Sequence, residues 1–304
     1  MAPDYESCEG STWRMQLDIF NDSRDTMLRN DVVEALERRD AVRALAALRA
    51  FVDEFPQDEA IADAELLILA IVPEGSTTFN DHDDARQARL ALINEVEPAA
   101  VRVLGAQLAS KWLSPLWTTM ARRAAYLPFR ADRPDEHAAP FLLTAHDWNA
   151  AVEAVGAVES WRRIPRTLAW MTQARCQVAG LAAVWDLIAE LAWLSPACLA
   201  QVAAASGDLV LNRKLAKFGA TFDGTGTAED LEWFPAWVLT DEPGLAPFLA
   251  KAQRSRWTGA EQAMRTMVEI LGFERQGRQR ELLDRRRVLQ ALSPEVYRSY
   301  MATR

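Results

Sequence analysis

Apolar residues recur at i, i+3, i+4 and i+7 through most of the chain, the period of a helix with one buried face. Alternating β-branched runs, the mark of a half-buried strand, are missing. The pattern predicts helices over 23–39, 41–55, 59–72, 83–96, 99–112 and 115–126. It predicts more over 148–160, 165–180, 181–193, 196–206 and 209–218, short ones within 230–253, and longer ones over 258–271, 277–291 and 294–301. Two polar stretches interrupt it. LPFRADRPDEHAAP at 127–140 is rich in proline and charge and reads as a hinge, and GATFDGTGTAED at 219–230 is a second break. The expected organisation is a mobile tail over 1–22, an N-terminal helical-hairpin section over 23–127, a central helical section over 141–218 and a C-terminal basic section over 230–304.

One junction recurs. Trp112-Leu113-Ser114-Pro115 and Trp193-Leu194-Ser195-Pro196 share four residues, and Leu292-Ser293-Pro294 shares the last three. Serine caps a helix start and proline fits its first turn, so each predicts one helix ending and the next beginning within two or three residues. Connections that short force neighbouring helices to run antiparallel. The fold class expected is all-α, with antiparallel helical hairpins stacked as an α-solenoid-like array.

Residues 41–72 resemble part of a tetratricopeptide repeat. Ala44, Leu48 and Pro56 stand where that family places a small residue, a large one and a helix-ending one, while Phe51 stands where it prefers a small residue. The resemblance covers about a tenth of the chain. It implies helical-hairpin packing and a concave face that binds protein segments, without catalysis.

Composition narrows the class. Half of the 304 residues are hydrophobic and a quarter charged, with a net charge of −9, which excludes a disordered or collagen-like chain. Three cysteines, Cys8, Cys176 and Cys198, make no disulfide framework and suit a reducing compartment. Residues 1–20 show no secretory leader, and apolar runs such as 66–72 are too short to cross a bilayer, so the expected location is cytoplasmic, with no membrane partner. Charge is uneven: residues 251–304 carry a net +6 and the rest −15. Arg275, Arg278, Arg280, Arg285, Arg286 and Arg287 form a candidate basic surface. A nucleic acid or an acidic partner would suit it, but a solvated helix face paired with the acidic body is the favoured account.

The sharpest motif is Gln16-Leu17-Asp18-Ile19-Phe20. It resembles the short peptide by which bacterial polymerases and repair proteins dock on the DNA sliding clamp, with Ile19 in place of the commoner leucine. The resemblance implies a glutamine amide anchored by hydrogen bonds, apolar side chains filling a pocket, a sliding clamp as partner and a bacterial source. The competing account is that Leu17, Ile19 and Phe20 staple the tail to the first helix, with Asp22 or Ser23 as its cap.

Catalytic motifs are few. His146-Asp147 resembles the paired ligands of the helical HD phosphohydrolases, with His82 and Asp186 as further ligands, but Asp147 also reads as the cap of the helix starting at Trp148. Asp186 and Glu190 share a helix face, with Arg162, Arg163 and Arg166 near enough in sequence to pair with them. There is no phosphate loop, no CxxC, no HExxH and no Ser-His-Asp elbow. The eleven tryptophans, Trp161, Trp170, Trp185 and Trp193 among them, read as bulky core residues. The expected function is a non-enzymatic adaptor with protein partners and no cofactor. A sliding-clamp adaptor stands second and a metal-dependent phosphohydrolase third.

Overall fold

The computed structural model describes residues 10–72, 78–254 and 257–304, with side chains from residue 24 onward. Every regular element among them is helical, and the fold is all-α. The chain divides into two compact units, Met1–Ala145 and His146–Arg304.

The first unit holds α1 (Gly10–Glu37), α2 (Ala41–Glu54), α3 (Ala60–Ile71), α4 (His82–Ala91), α5 (Glu97–Leu104), α6 (Ala106–Ala124) and α7 (Ala138–Thr144). The helix starts follow from side chains that accept free backbone N–H groups. Asp40 accepts from Arg43, Asp81 from Asp83 and Asp84, and His137 from Ala139. The chain turns at 38–40, and Arg24 meets Glu54 at 2.6 Å, so α1 and α2 lie antiparallel. Leu36, Leu48, Phe51 and Leu67 fill the space among α1, α2 and α3. The helices expected over 41–55 and 59–72 are therefore present as α2 and α3, with Ala44, Leu48 and Phe51 all buried.

Among the boundaries that differ from the sequence reading, three bear on the first unit. The backbone of α1 is helical from Gly10, upstream of position 23, where the periodicity starts it. The break expected between 96 and 99 is absent. A π-helical turn, Leu92–Val96, joins α4 to α5 without a break, and Pro98 follows directly after it. The chain instead breaks at Gly105, whose φ of +77° suits glycine.

Trp112-Leu113-Ser114-Pro115 is the third correction, because it is no junction: Pro115 lies inside α6. Ser114 does not cap. Its hydroxyl donates to the Ala145 carbonyl at 2.8 Å. The carbonyls around the proline are covered by side chains instead, Thr118 and Thr119 donating to Ser114 and Pro115, and Arg39 to Trp112. At Ser195 and Ser293 the same letters do cap, accepting from Cys198 and Val296.

The second unit holds α8 (Trp148–Gly156), α9 (Pro165–Ala179), α10 (Trp185–Leu194), α11 (Pro196–Ser206), α12 (Leu209–Thr221), α13 (Phe234–Asp241), α14 (Ala246–Leu249), α15 (Gly259–Gln276), α16 (Gln279–Leu292) and α17 (Pro294–Met301). α10 is its centre. It packs against α9, α11, α13 and α14, and eight of its ten residues are buried. Trp185, Phe218, Phe234 and Trp237 form one aromatic cluster, with centroids 5.4 to 6.4 Å apart. Of the tryptophans expected in the core, Trp170, Trp185 and Trp193 are buried, whereas Trp161 is half-buried and Trp257 is exposed.

Candidate functional site

Among the described residues of the first unit is a groove of about 470 Å³. Its walls come from the end of α1 (Arg39), the last turn of α3 (Leu69, Ile71, Val72), the π-helical turn (Leu92, Val96) and α6 (Leu116, Met120). The volume falls in the range of natural ligand sites, and the lining is mostly apolar. Leu92, Val96 and Met120 form a buried floor, while Leu69 and Val72 stand at the lip, 69% and 46% exposed. Arg39, Arg122 and Arg123 also line it, and no Asp or Glu does among the described residues.

Two backbone irregularities line this groove. One is the π-helical turn, a feature frequent at functional sites. Arg39 is the second. Its N–H bonds Leu36 O at 2.9 Å and the Asp40 N–H bonds Ala35 O at 3.0 Å, the two bonds of a Schellman helix ending. That ending places one residue at positive φ, normally glycine, and here it is Arg39 at +54°. A side chain in that conformation costs about 1 kcal/mol.

The Arg39 guanidinium is half-buried. Its Nη1 donates to Trp112 O at 2.6 Å, and the guanidinium lies 5.0 Å from the centre of the Trp112 ring. Trp112 is held from its other side, where Nε1 donates to Leu36 O at 2.7 Å. Burial pushes Arg39 below the usual arginine value, and no neighbouring carboxylate opposes that shift. One of the five guanidinium N–H groups is engaged by the described residues. On the rim, Arg123 lies over Phe79 at 4.2 Å.

A wider hollow of about 620 Å³ beside α1, α3 and α5 is different in kind. Its arginines already have carboxylates: Arg29 pairs with Asp58, and Arg102 with Asp63 through two bonds of 2.6 and 2.7 Å. The Arg102 pairing holds Asp63 below the usual carboxylate range.

The residues singled out by sequence have these places. The side chains of Gln16, Leu17, Asp18, Ile19 and Phe20 lie outside the described residues. Four of the six basic residues are paired within the chain: Arg278 with Glu281, Arg285 with Glu269, Arg286 with Glu274 and Arg287 with Asp284. Arg275 donates to Leu271 O, and Arg280 is exposed. The two guanidinium groups of Arg286 and Arg304 flank the Tyr300 ring at 5.2 and 5.1 Å, and its hydroxyl donates to Glu274.

Asp147 caps α8, accepting from Ala150, and His146 stacks on Trp148 at 5.1 Å. His82 bonds Pro128 O at 3.0 Å. No three His, Cys, Asp or Glu side chains gather as a metal site among the described residues. Asp186 and Glu190 share a face as expected, and Arg162 bridges them at 2.9 and 3.0 Å. The Arg162 Nε lies 3.0 Å from Glu190 without a well-aligned hydrogen bond. The other Glu190 oxygen accepts the Gln253 N–H at 2.8 Å.

Sequence reading missed Arg39 and the groove. The available signal was the run Glu-Arg-Arg-Asp at 37–40, where one helix meets the next with no glycine to take the left-handed position. No family model, curated protein or solved structure matches the chain. No helix among the described residues is long and apolar enough to cross a membrane.

Proposed function

We propose that the chain is a non-enzymatic binding protein, an adaptor whose first unit takes a short segment of a partner protein in the groove between α3, the π-helical turn and α6. The observation that carries this is the groove itself: an apolar floor, exposed leucine and valine at its lip, and a backbone that departs from regular helix at two of its walls. Helix-lined grooves bind partner segments by burying apolar anchors, and the lip residues give such an anchor its first contact. Sequence alone names one partner to try, the sliding clamp, through Gln16–Phe20.

The test is panning of displayed short peptides against the purified protein, with Leu69→Glu as the counter-target. Leu69 is mostly exposed, so the substitution leaves the fold intact while placing a charge on the groove. Selected peptides are expected to lose at least about tenfold in affinity for the variant, as a buried apolar contact of 1–2 kcal/mol implies. Peptides that bind wild type and variant equally would contradict the proposal.

A further inference from the structure

We propose that the second unit carries a binding surface for single-stranded nucleic acid, where Trp257 stacks on a base and Lys251 and Arg254 hold neighbouring phosphates. It stands whether or not the groove of the first unit binds a peptide. The exposed aromatic side chains among the described residues are Tyr126, Phe248 and Trp257. The last two belong to the stretch from α14 to the start of α15. Each has a cation against its ring: Lys251 Nζ lies 5.4 Å from the centre of Phe248, and the Arg254 guanidinium 4.9 Å from that of Trp257. Both cations are exposed, and neither meets a carboxylate among the described residues.

Trp257 is out of place as a structural residue. Its φ is +56°, a conformation in which a bulky side chain is an outlier and glycine sits without strain. The start of α15 does not need it, since Thr258 is the cap and accepts from Glu261 at 3.2 Å. The residue is 48% exposed even with Arg254 over its ring. The chain nonetheless secures it. Its N–H donates to Glu261 at 3.1 Å, and its carbonyl accepts from Gln262 at 2.9 Å. Arg265, paired with Glu261, lies 6.0 Å from the ring and also donates to Ala252 O at 3.2 Å. The Gln253 N–H is held by Glu190. A strained aromatic, braced from several sides and open to solvent, is a recognition surface ordered in advance, so little is lost in ordering it on binding.

A ring beside two available cations suits a ligand that repeats a flat face and a negative charge, and every nucleotide carries both. Stacking tolerates any base, and phosphates answer Lys251 and Arg254. In a duplex the bases are stacked on one another, so the ring selects for single strands. Charge directs the strand to this part of the chain: residues 251–304 carry +6 within a protein of −9.

The experiment is fluorescence anisotropy of the full chain with a labelled mixed-sequence DNA strand of about 15 nucleotides, long enough for one such site. The same strand paired with its complement, and phosphatidylserine–phosphatidylcholine vesicles, are the competing probes. Trp257→Gly removes the ring and relieves the backbone, while Trp257→Phe keeps a ring. Lys251→Gln/Arg254→Gln removes the two cations from exposed positions, so it tests the surface independently of the tryptophan. Arg86→Gln/Lys111→Gln removes two exposed cations from α4 and α6 of the first unit, as a control of equal charge.

The single strand is expected to bind more tightly than the duplex. Trp257→Gly should weaken it about tenfold or more, and Trp257→Phe by less. Lys251→Gln/Arg254→Gln should also flatten the dependence of log K on log salt by roughly 1.4, at about 0.7 for each phosphate contact on a single strand. The control variant should change neither reading by as much. Four results would overturn the proposal: no binding of the strand at low salt, equal or tighter binding of the duplex, binding that survives Trp257→Gly, or losses matched by the control. Vesicle binding that depends on Trp257, with no binding of the strand, would also overturn it and assign the surface to a membrane interface.

Discussion

Arg162→Met is expected to destabilise the second unit by about 3 kcal/mol at neutral pH. Arg162 is the cation that bridges Asp186 and Glu190, and the Glu190 side chain is only 6% exposed. Burial pushes the Glu190 carboxyl up; the Gln253 N–H and Arg162 pull it down, and Asp186 pushes it up again. With Arg162 gone, a buried carboxylate faces a like charge and keeps one backbone donor. Removing one partner of a buried pair costs roughly 3–5 kcal/mol. The sign with pH follows: losing Arg162 raises the Glu190 pKa further, so the deficit is full above that pKa and shrinks as pH falls and Glu190 takes up a proton. Urea unfolding of wild type, Arg162→Met, Glu190→Gln and the double variant measures it. Arg162→Met/Glu190→Gln should recover much of the loss, while a double variant no better than Arg162→Met would show that the arginine acts through its stem and not its charge.

Acid should act on the first unit through His137. Burial, helped by the nearby His82, lowers the pKa of His137 from 6.5 to about 4. The structural reason is visible: Nδ1 accepts the Ala139 N–H at 3.2 Å and caps α7, which requires an unprotonated nitrogen. Because the folded value lies below the unfolded one, the unfolded chain binds a proton that the native chain refuses. Stability is therefore fully present above pH 6.5 and falls as pH drops toward 4, by about 3 kcal/mol in total for this group. His137→Asn keeps a capping oxygen and does not titrate. The difference in unfolding free energy between wild type and His137→Asn should grow in favour of the variant from pH 7 to pH 4.5. A difference that stays flat across that range would show that His137 takes up a proton as readily in the native state as in the unfolded chain.

The helical class was legible because periodicity reports burial, and burial decides the fold here. α2, α3, α11 and α17 lie close to where caps and apolar spacing place them. Proline misled where its surroundings were not readable. Ser114-Pro115 and Ser195-Pro196 have the same local signals, yet only the second starts a helix. The difference is tertiary: Ala145 takes the Ser114 hydroxyl, and Arg39, 73 residues earlier, covers the Trp112 carbonyl. No local window contains that information. The π-helical turn is likewise invisible, since one extra residue in a turn leaves the apolar spacing nearly unchanged.

The candidate chemistry divides in the same way. The pairing of Asp186 and Glu190 with a nearby arginine followed from helix geometry and short sequence separation. The groove did not, because its walls come from four segments between Arg39 and Arg123 that meet only on folding.

The most direct measurement of the central claim is the methyl spectrum of methionine-labelled protein titrated with a groove-selected peptide. Met120 lies in the groove floor, whereas Met264 and Met267 are buried in α15 of the second unit. The account predicts that the Met120 methyl shifts and saturates with the binding isotherm, that Met264 and Met267 stay in place, and that the Met120 shift disappears in Leu69→Glu. Saturable binding that moves Met264 or Met267 and leaves Met120 untouched would contradict it.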